Sequence, residues 1–215
     1  MLLTAFKAIV ITIGAYLLGS VPFGLMSSRI FFSKDIRKLG SGNIGATNML
    51  RNFGLVAFVA VLLLDALKGA VAIWVARSLG LDQAYVLLAG LACIAGHDWS
   101  LYLRFKGGKG IATSAGVLLA GFPWQVAVPV IGLFLLVALG SRYMSAGSIA
   151  GAVALPIATL LFFRSNLSGE WAYLAFAGLA MVMALFRHAE NIRRLAAGEE
   201  PRIKFKKPGV SGGTP

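Results

Sequence analysis

The chain has 215 residues, 58% of them hydrophobic, a mean hydropathy of +0.82 and a formal charge of +12. Apolar content at that level, recurring in runs along the whole length, excludes an ordinary soluble domain and points to a polytopic membrane protein. A single cysteine, Cys93, excludes an intrachain disulfide, and the basic residues lie mainly between apolar runs, where they set orientation rather than mark a nucleic-acid surface.

Lys7 is the one charged residue ahead of the first run, at 8–26, and no clear small-residue cleavage pattern follows it, so this run reads as a retained span. Further runs cover 53–76, 83–103, 110–140, 147–163 and 170–186. As one helix the fourth would be roughly 46 Å long, against a hydrocarbon core of roughly 30 Å. Pro123, after Gly121, divides it in two, and the first part, 110–122, is short for a full crossing. The prediction is an all-α bundle of seven transmembrane helices with the N-terminus outside and the C-terminus cytoplasmic. In that arrangement all Lys and Arg except Lys7, Lys68, Arg77 and Arg164 fall on the inner side, as the positive-inside rule requires. Residues 1–200 form one membrane-embedded domain, and 201–215 read as a basic flexible tail.

Three polar segments then emerge on one face. The first, GSGNIGATN at 40–48, satisfies G-x-G-x-x-G through Gly40, Gly42 and Gly45, but a membrane helix precedes it where a dinucleotide fold needs a strand. Its glycines can turn backbone amides toward an anion, with Ser41, Asn43, Thr47 and Asn48 adding hydrogen-bonding groups. Taken alone the loop reads equally as a tight turn, and Arg51 tips the balance toward phosphate. The second segment carries His97 at a helix end, then Lys106, Gly107, Gly108, Lys109 and Gly110 immediately before a new helix. Helix N-termini attract anions, although positive-inside punctuation also explains two lysines there. The GGKG run lacks the Ser or Thr that a Walker A loop places after the lysine. The third, RHAENIRRLAAGEE at 187–200, reads by itself as a surface helix held to anionic lipid by Arg193 and Arg194. Asp65 and Lys68, three apart within the second span, are expected to pair and face the bundle interior, and Gly147 and Gly151 form a G-x-x-x-G that favours close helix packing.

Together, GSGNIGATN with Arg51, GH followed by FKGGKGIAT, and NIRRLAAGEE resemble the three motifs of the bacterial acyl-phosphate:glycerol-3-phosphate acyltransferase family, PlsY. The similarity runs from the first span to about Glu200 and includes DALKG of the second span. The resemblance implies a multi-pass enzyme of the bacterial inner membrane, its active site open to the cytoplasm. It would move a fatty acyl group from acyl phosphate to the sn-1 hydroxyl of glycerol-3-phosphate in phospholipid synthesis, giving lysophosphatidate and inorganic phosphate. It implies a functional link to the enzyme that makes acyl phosphate. It also places Ser41, Arg51, His97 and Lys109 in the catalytic role. Gly42, Asn43, Gly45, Thr47, Asn48, Lys106, Gly107, Gly108, Gly110, His188, Asn191 and Glu200 would line the substrates, with Glu200 ordering loops.

The chemistry of the residues agrees with that expectation. Acyl phosphate already has a good leaving group, so the task is to position two anions and offset their repulsion, which clustered Arg and Lys suit. No cofactor or metal is expected, because the two histidines lie in separate segments without ligand spacing. Either His97 or the donor phosphate could accept the hydroxyl proton. A phosphate transporter is the first rival, with basic groups lining a path through the bilayer. An acyl-CoA or acyl-carrier-protein acyltransferase is the second, but its His-x-x-x-x-Asp is absent: five residues beyond His97 is Tyr102, and five beyond His188 is Arg193.

Overall fold

The computed structural model describes residues 2–167 and 169–203, and every regular element among them is helical. In chain order these are α1 (Leu2–Ser20), α2 (Phe23–Phe32), α3 (Ala46–Phe53), α4 (Leu55–Ser78) and α5 (Gln83–Asp98). Then come α6 (Ile111–Gly121), α7 (Trp124–Ser141), α8 (Met144–Phe163), α9 (Trp171–Arg187) and α10 (Ala189–Ala196). Short 3₁₀ turns lie at Ile36–Lys38 and Leu101–Leu103. Large apolar side chains such as Phe31, Val56, Leu136, Leu161 and Phe186 face outward, as lipid contact requires. The protein is an all-helical integral membrane protein.

Five stretches are long and apolar enough to cross: α1 with α2, α4, α5 with its following turn, α7 and α8. The pair α9 and α10, bent by 61°, makes a sixth. The break expected at Pro123 separates α6 from α7, and α6 has 11 residues, about 16 Å of helix. The first run differs from the sequence reading. The helix begins at Leu2 and stops at Ser20, because Pro22 lacks an amide proton and disfavours helix at Val21; α2 then resumes to Phe32. The loop expected between the first two spans also contains a helix, α3, amphipathic but only eight residues long.

Helices meet where side chains are small, the usual means of close approach in lipid. A methyl group on Gly19 would strike the Cys93 backbone of α5, and one on Gly96 would strike the Tyr16 carbonyl of α1. Tyr16 Oη donates to the Trp99 carbonyl at 2.7 Å, and Ser100 Oγ to the Ser20 carbonyl at 2.5 Å, fixing the adjoining ends. The expected Gly147 and Gly151 contact is present, both lying on Phe134 of α7. Helix α6 rests along the second half of α4: Gly116 abuts Ala66, Gly121 lies beside Ile73, and the Arg77 guanidinium donates to the carbonyls of Ala120 (2.6 Å) and Gly121 (3.1 Å). It therefore starts level with the middle of α4 and ends level with its last turn.

The start of the expected tail is part of the fold. The Ile203 amide donates to the Arg142 carbonyl at 2.7 Å and its side chain is buried, while Arg202 Nε donates to Tyr143 Oη at 3.0 Å. Residues 204–215, the remainder of that tail, lie outside the described residues.

Candidate active site

The first polar segment is shaped from within by Asn48, a buried residue of α3. Its amide nitrogen donates to the carbonyls of Ile36 (3.3 Å), Leu39 (3.0 Å) and Asn43 (2.8 Å). Its side-chain oxygen accepts from the Ser41 amide at 3.1 Å and from Asn52 at 3.0 Å. Asn43 Oδ1 accepts from the Gly45 amide at 2.8 Å, an Asx turn that leads into α3. Two left-handed residues, Gly40 at φ 54° and Gly42 at φ 70°, let the chain double back. Asn48, expected to bind substrate, thus spends its hydrogen bonds on the loop that presents Ser41, Thr47 and Arg51.

In the second segment the Gly108 amide donates to the His97 carbonyl at 2.9 Å, and a methyl on Gly108 would strike the His97 ring. Arg187, at the end of α9, donates to the Gly108 carbonyl at 2.6 and 2.9 Å and to that of Gly107 at 3.1 Å, with its guanidinium 5.7 Å from the Trp99 ring centroid. This clamp aims Lys109 at the third segment, where its ammonium donates to Asn191 Oδ1. Burial, aided by nearby Arg194, lowers the Lys109 pKa to about 8.

Glu200 closes the site. Its carboxylate accepts from Ser145 of α8 (2.7 Å), Asn191 of α10 (2.7 Å) and Arg194 Nε (2.8 Å). Burial opposes its charge, yet these hydrogen bonds outweigh burial and hold the carboxyl below its ordinary range. Arg194, read from sequence as a lipid anchor, instead turns inward and lines the cavity; Arg193 stays exposed.

One cavity of about 120 Å³ gathers all three segments. Of the residues expected from sequence it is lined by Ser41, Asn43, Gly45, Thr47, Asn48, Arg51, His97, Lys109, Gly110, His188, Asn191 and Glu200. Gly42, Lys106, Gly107 and Gly108 do not line it. Lys106 is exposed, Gly42 serves the turn, and the paired glycines lie against His97. Four polar lining residues were not anticipated as site groups: Arg194, Ser145, Ser148 and Asp65. Asp65 pairs with Lys68 at 2.8 Å, the buried ion pair expected within the second span, and Lys68 Nζ also lies 2.9 Å from His97 Nδ1. Apolar side chains of Phe58, Leu62, Phe134 and Met144 line it as well. The lining can hold a small anion against Arg51, Lys109 and Arg194 and offers a hydrocarbon chain apolar contacts.

Comparison with known proteins supplies the family. A family model described as glycerol-3-phosphate acyltransferase matches residues 9–198. The glycerol-3-phosphate acyltransferase of Synechococcus sp. (strain CC9902) is 45% identical over 191 residues, 89% of this chain and 92% of that protein. That of Desulforamulus reducens is 46% identical over 199 residues, 93% and 96% of the two chains. The crystal structure of the integral membrane glycerol 3-phosphate acyltransferase PlsY (YgiH) in its glycerol 3-phosphate form superposes with a TM-score of 0.82 at 37% identity, covering 92% of this chain and 96% of that one. Its lysophosphatidic acid form gives 0.80 at 36% identity, covering 93% and 96%. The chain belongs to the PlsY family of integral membrane glycerol-3-phosphate acyltransferases.

Proposed function

We propose that the protein transfers a fatty acyl group from acyl phosphate to the sn-1 hydroxyl of glycerol-3-phosphate, releasing 1-acyl-glycerol-3-phosphate and inorganic phosphate. The observation that carries this reading is the mixed lining of one cavity: the cations Arg51, Lys109 and Arg194 together with the apolar Phe58, Leu62, Phe134 and Met144. A phosphorylated small molecule suits the cations and an acyl chain the apolar side chains. The solved structures of PlsY in glycerol 3-phosphate and lysophosphatidic acid forms support the same acceptor and product here.

The hydroxyl oxygen attacks the acyl carbonyl, the carbonyl–phosphate C–O bond breaks, and the hydroxyl proton leaves with phosphate as hydrogen phosphate. Ser41, Arg51 and Lys109 hold phosphate, with Thr47, His188 and Asn191 around it. The cations offset the repulsion between two anionic substrates, and confinement supplies orientation. Glu200 acts by ordering α8, α10 and Arg194 rather than by touching substrate.

The reading includes seven crossings, with the N-terminus outside and the cavity facing the cytoplasm of a bacterial inner membrane. Parity supports it. The three polar segments follow α1–α2, α5 and α9, yet meet in one cavity, so α6 to α9 together make an even number of passages. Helix α6 then counts as a passage despite its 11 residues. The donor is made elsewhere in the membrane's acyl supply, by an enzyme that activates fatty acyl groups as phosphates.

The test is to supply labelled glycerol-3-phosphate to purified protein with palmitoyl phosphate, palmitoyl-CoA or palmitoyl carrier protein, one at a time, and to measure lysophosphatidate and released phosphate. Product from acyl phosphate alone is expected. Product from either thioester alone would overturn the donor assignment, and uptake into proteoliposomes without acyl product would replace the reading with transport.

A further inference from the structure

Beneath the cavity lies a charge cluster whose members come from three parts of the chain. Lys68 Nζ, nearly fully buried, is 2.8 Å from Asp65 Oδ1, 3.0 Å from the Val21 carbonyl and 2.9 Å from His97 Nδ1. An ammonium group has three protons and no acceptor. Two of its protons have hydrogen-bond partners, the carbonyl and the imidazole nitrogen, while Asp65 Oδ1 stands at ion-pair distance without a hydrogen bond. Since Lys68 only donates, His97 Nδ1 must accept, and a neutral imidazole that accepts at Nδ1 carries its proton at Nε2. Asp65 also lies 3.4 Å from Nδ1, but that separation exceeds a good hydrogen bond and the shorter Lys68 contact takes precedence.

We propose that Lys68, anchored by Asp65 and the Val21 carbonyl, is a positioning residue that locks His97 as its Nε2–H tautomer, so that His97 offers the cavity a hydrogen-bond donor and not a base. The ring edge bearing Nε2 packs against Gly108, directly before Lys109, and His97 itself lines the cavity. His188 provides an internal contrast. Its Nδ1 lies 2.8 Å from the Ala184 carbonyl, which only accepts, so His188 carries its proton at Nδ1. The two histidines lining one cavity hold opposite tautomers, set by a donor behind one and an acceptor behind the other. Resting on the acyl-transfer reading, the inference removes His97 as acceptor of the hydroxyl proton and makes it a donor toward a substrate oxygen.

The chain has two histidines, which makes the test direct. Protein carrying isotope-labelled histidine in detergent micelles is examined by NMR, and nitrogen shifts with couplings to ring protons identify the tautomer of each; the His188→Gln variant assigns them. His97 is expected as Nε2–H and His188 as Nδ1–H. In Lys68→Met the His97 proton moves to Nδ1, toward Asp65, whereas Lys68→Arg keeps it at Nε2. Wild-type His97 found as Nδ1–H or as imidazolium overturns the proposal even if the Lys68 variants fail to fold. An unchanged tautomer in folded Lys68→Met overturns the role of Lys68. Turnover separates the consequence: glutamine places an N–H near the Nε2 position, so H97Q should stay within about tenfold of wild type while H97A falls about a hundredfold. Equal losses in both would mean that His97 acts as a base. The spectra do not depend on any acyl donor, so failure of the acyl-phosphate assay and failure of the tautomer assignment are separate results.

Discussion

The ammonium of Lys109 donates to the side-chain oxygen of Asn191, joining the glycine-rich loop before α6 to the helix after α9 across the mouth of the cavity. Its charge is disfavoured by burial and by Arg194, and its pKa stands at about 8 instead of 10.5. The sign follows: a lowered lysine loses its proton as pH rises through that value. The KM for glycerol-3-phosphate should therefore climb above pH about 8, by up to tenfold per pH unit, with a smaller change in kcat. Steady-state kinetics between about pH 7 and about pH 9.5 check it, and K109R, charged throughout, should flatten the profile.

Arg51 and Lys109 approach the cavity from different segments and neither can replace the other. Each charge-assisted hydrogen bond contributes roughly 1.5–3 kcal/mol, so Arg51→Ala and Lys109→Ala should each lower kcat/KM by about 10- to 100-fold. Normal kcat/KM in both variants would remove the phosphate clamp from the account.

Arg187 acts at one remove. Its three hydrogen bonds to the carbonyls of Gly107 and Gly108 hold the loop that aims Lys109. Arg187→Ala should raise KM for glycerol-3-phosphate about tenfold, and Arg187→Lys, a single point charge without the planar fork, should recover only part of that. Titration of glycerol-3-phosphate at saturating acyl donor measures both.

Glu200 should govern stability. Glu200→Ala leaves donors of Ser145, Asn191 and Arg194 without their acceptor, and a loss of about 2–3 kcal/mol is expected, read as a fall in Tm of the detergent-solubilised protein. Its folded pKa is depressed below the ordinary 4.5, so its contribution is full above that pH and is lost as pH falls through the folded value. The wild-type Tm should drop on acidification below pH about 4.5, and Glu200→Gln should show a weaker dependence. Equal slopes would mean that another group carries the acid sensitivity.

Much of the site was legible because its residues are polar islands in an apolar chain: Ser41, Arg51, Lys109 and Asn191 stand out wherever the bilayer would not tolerate them. The Asp65–Lys68 pair was legible for the same reason, although its third member was not. Nothing local ties Lys68 to His97, 29 residues on, because that contact depends on how α4 crosses α5. Arg194 was misread, and the role of Arg187 went unseen, for a related cause. At a helix end facing the membrane surface, lipid anchoring and inward clamping look alike in sequence, and the carbonyls that Arg187 binds lie 79 and 80 residues away. Helix α3 escaped because its eight residues, amphipathic as they are, span about two turns, too few for a pattern to stand out. The end of the fold was set too early, since the hold on Ile203 comes from the backbone of Arg142.

The short α6 has a further meaning. Two more turns of helix ahead of Ile111 would run through the space that Lys109, His97 and Thr47 now border. The cavity occupies the length that α6 forgoes, and the glycines before it let a loop stand in that length without filling it. Extending α6 backwards would thus be a steric plug made from the protein's own backbone, leaving every site residue in the chain and no room among them.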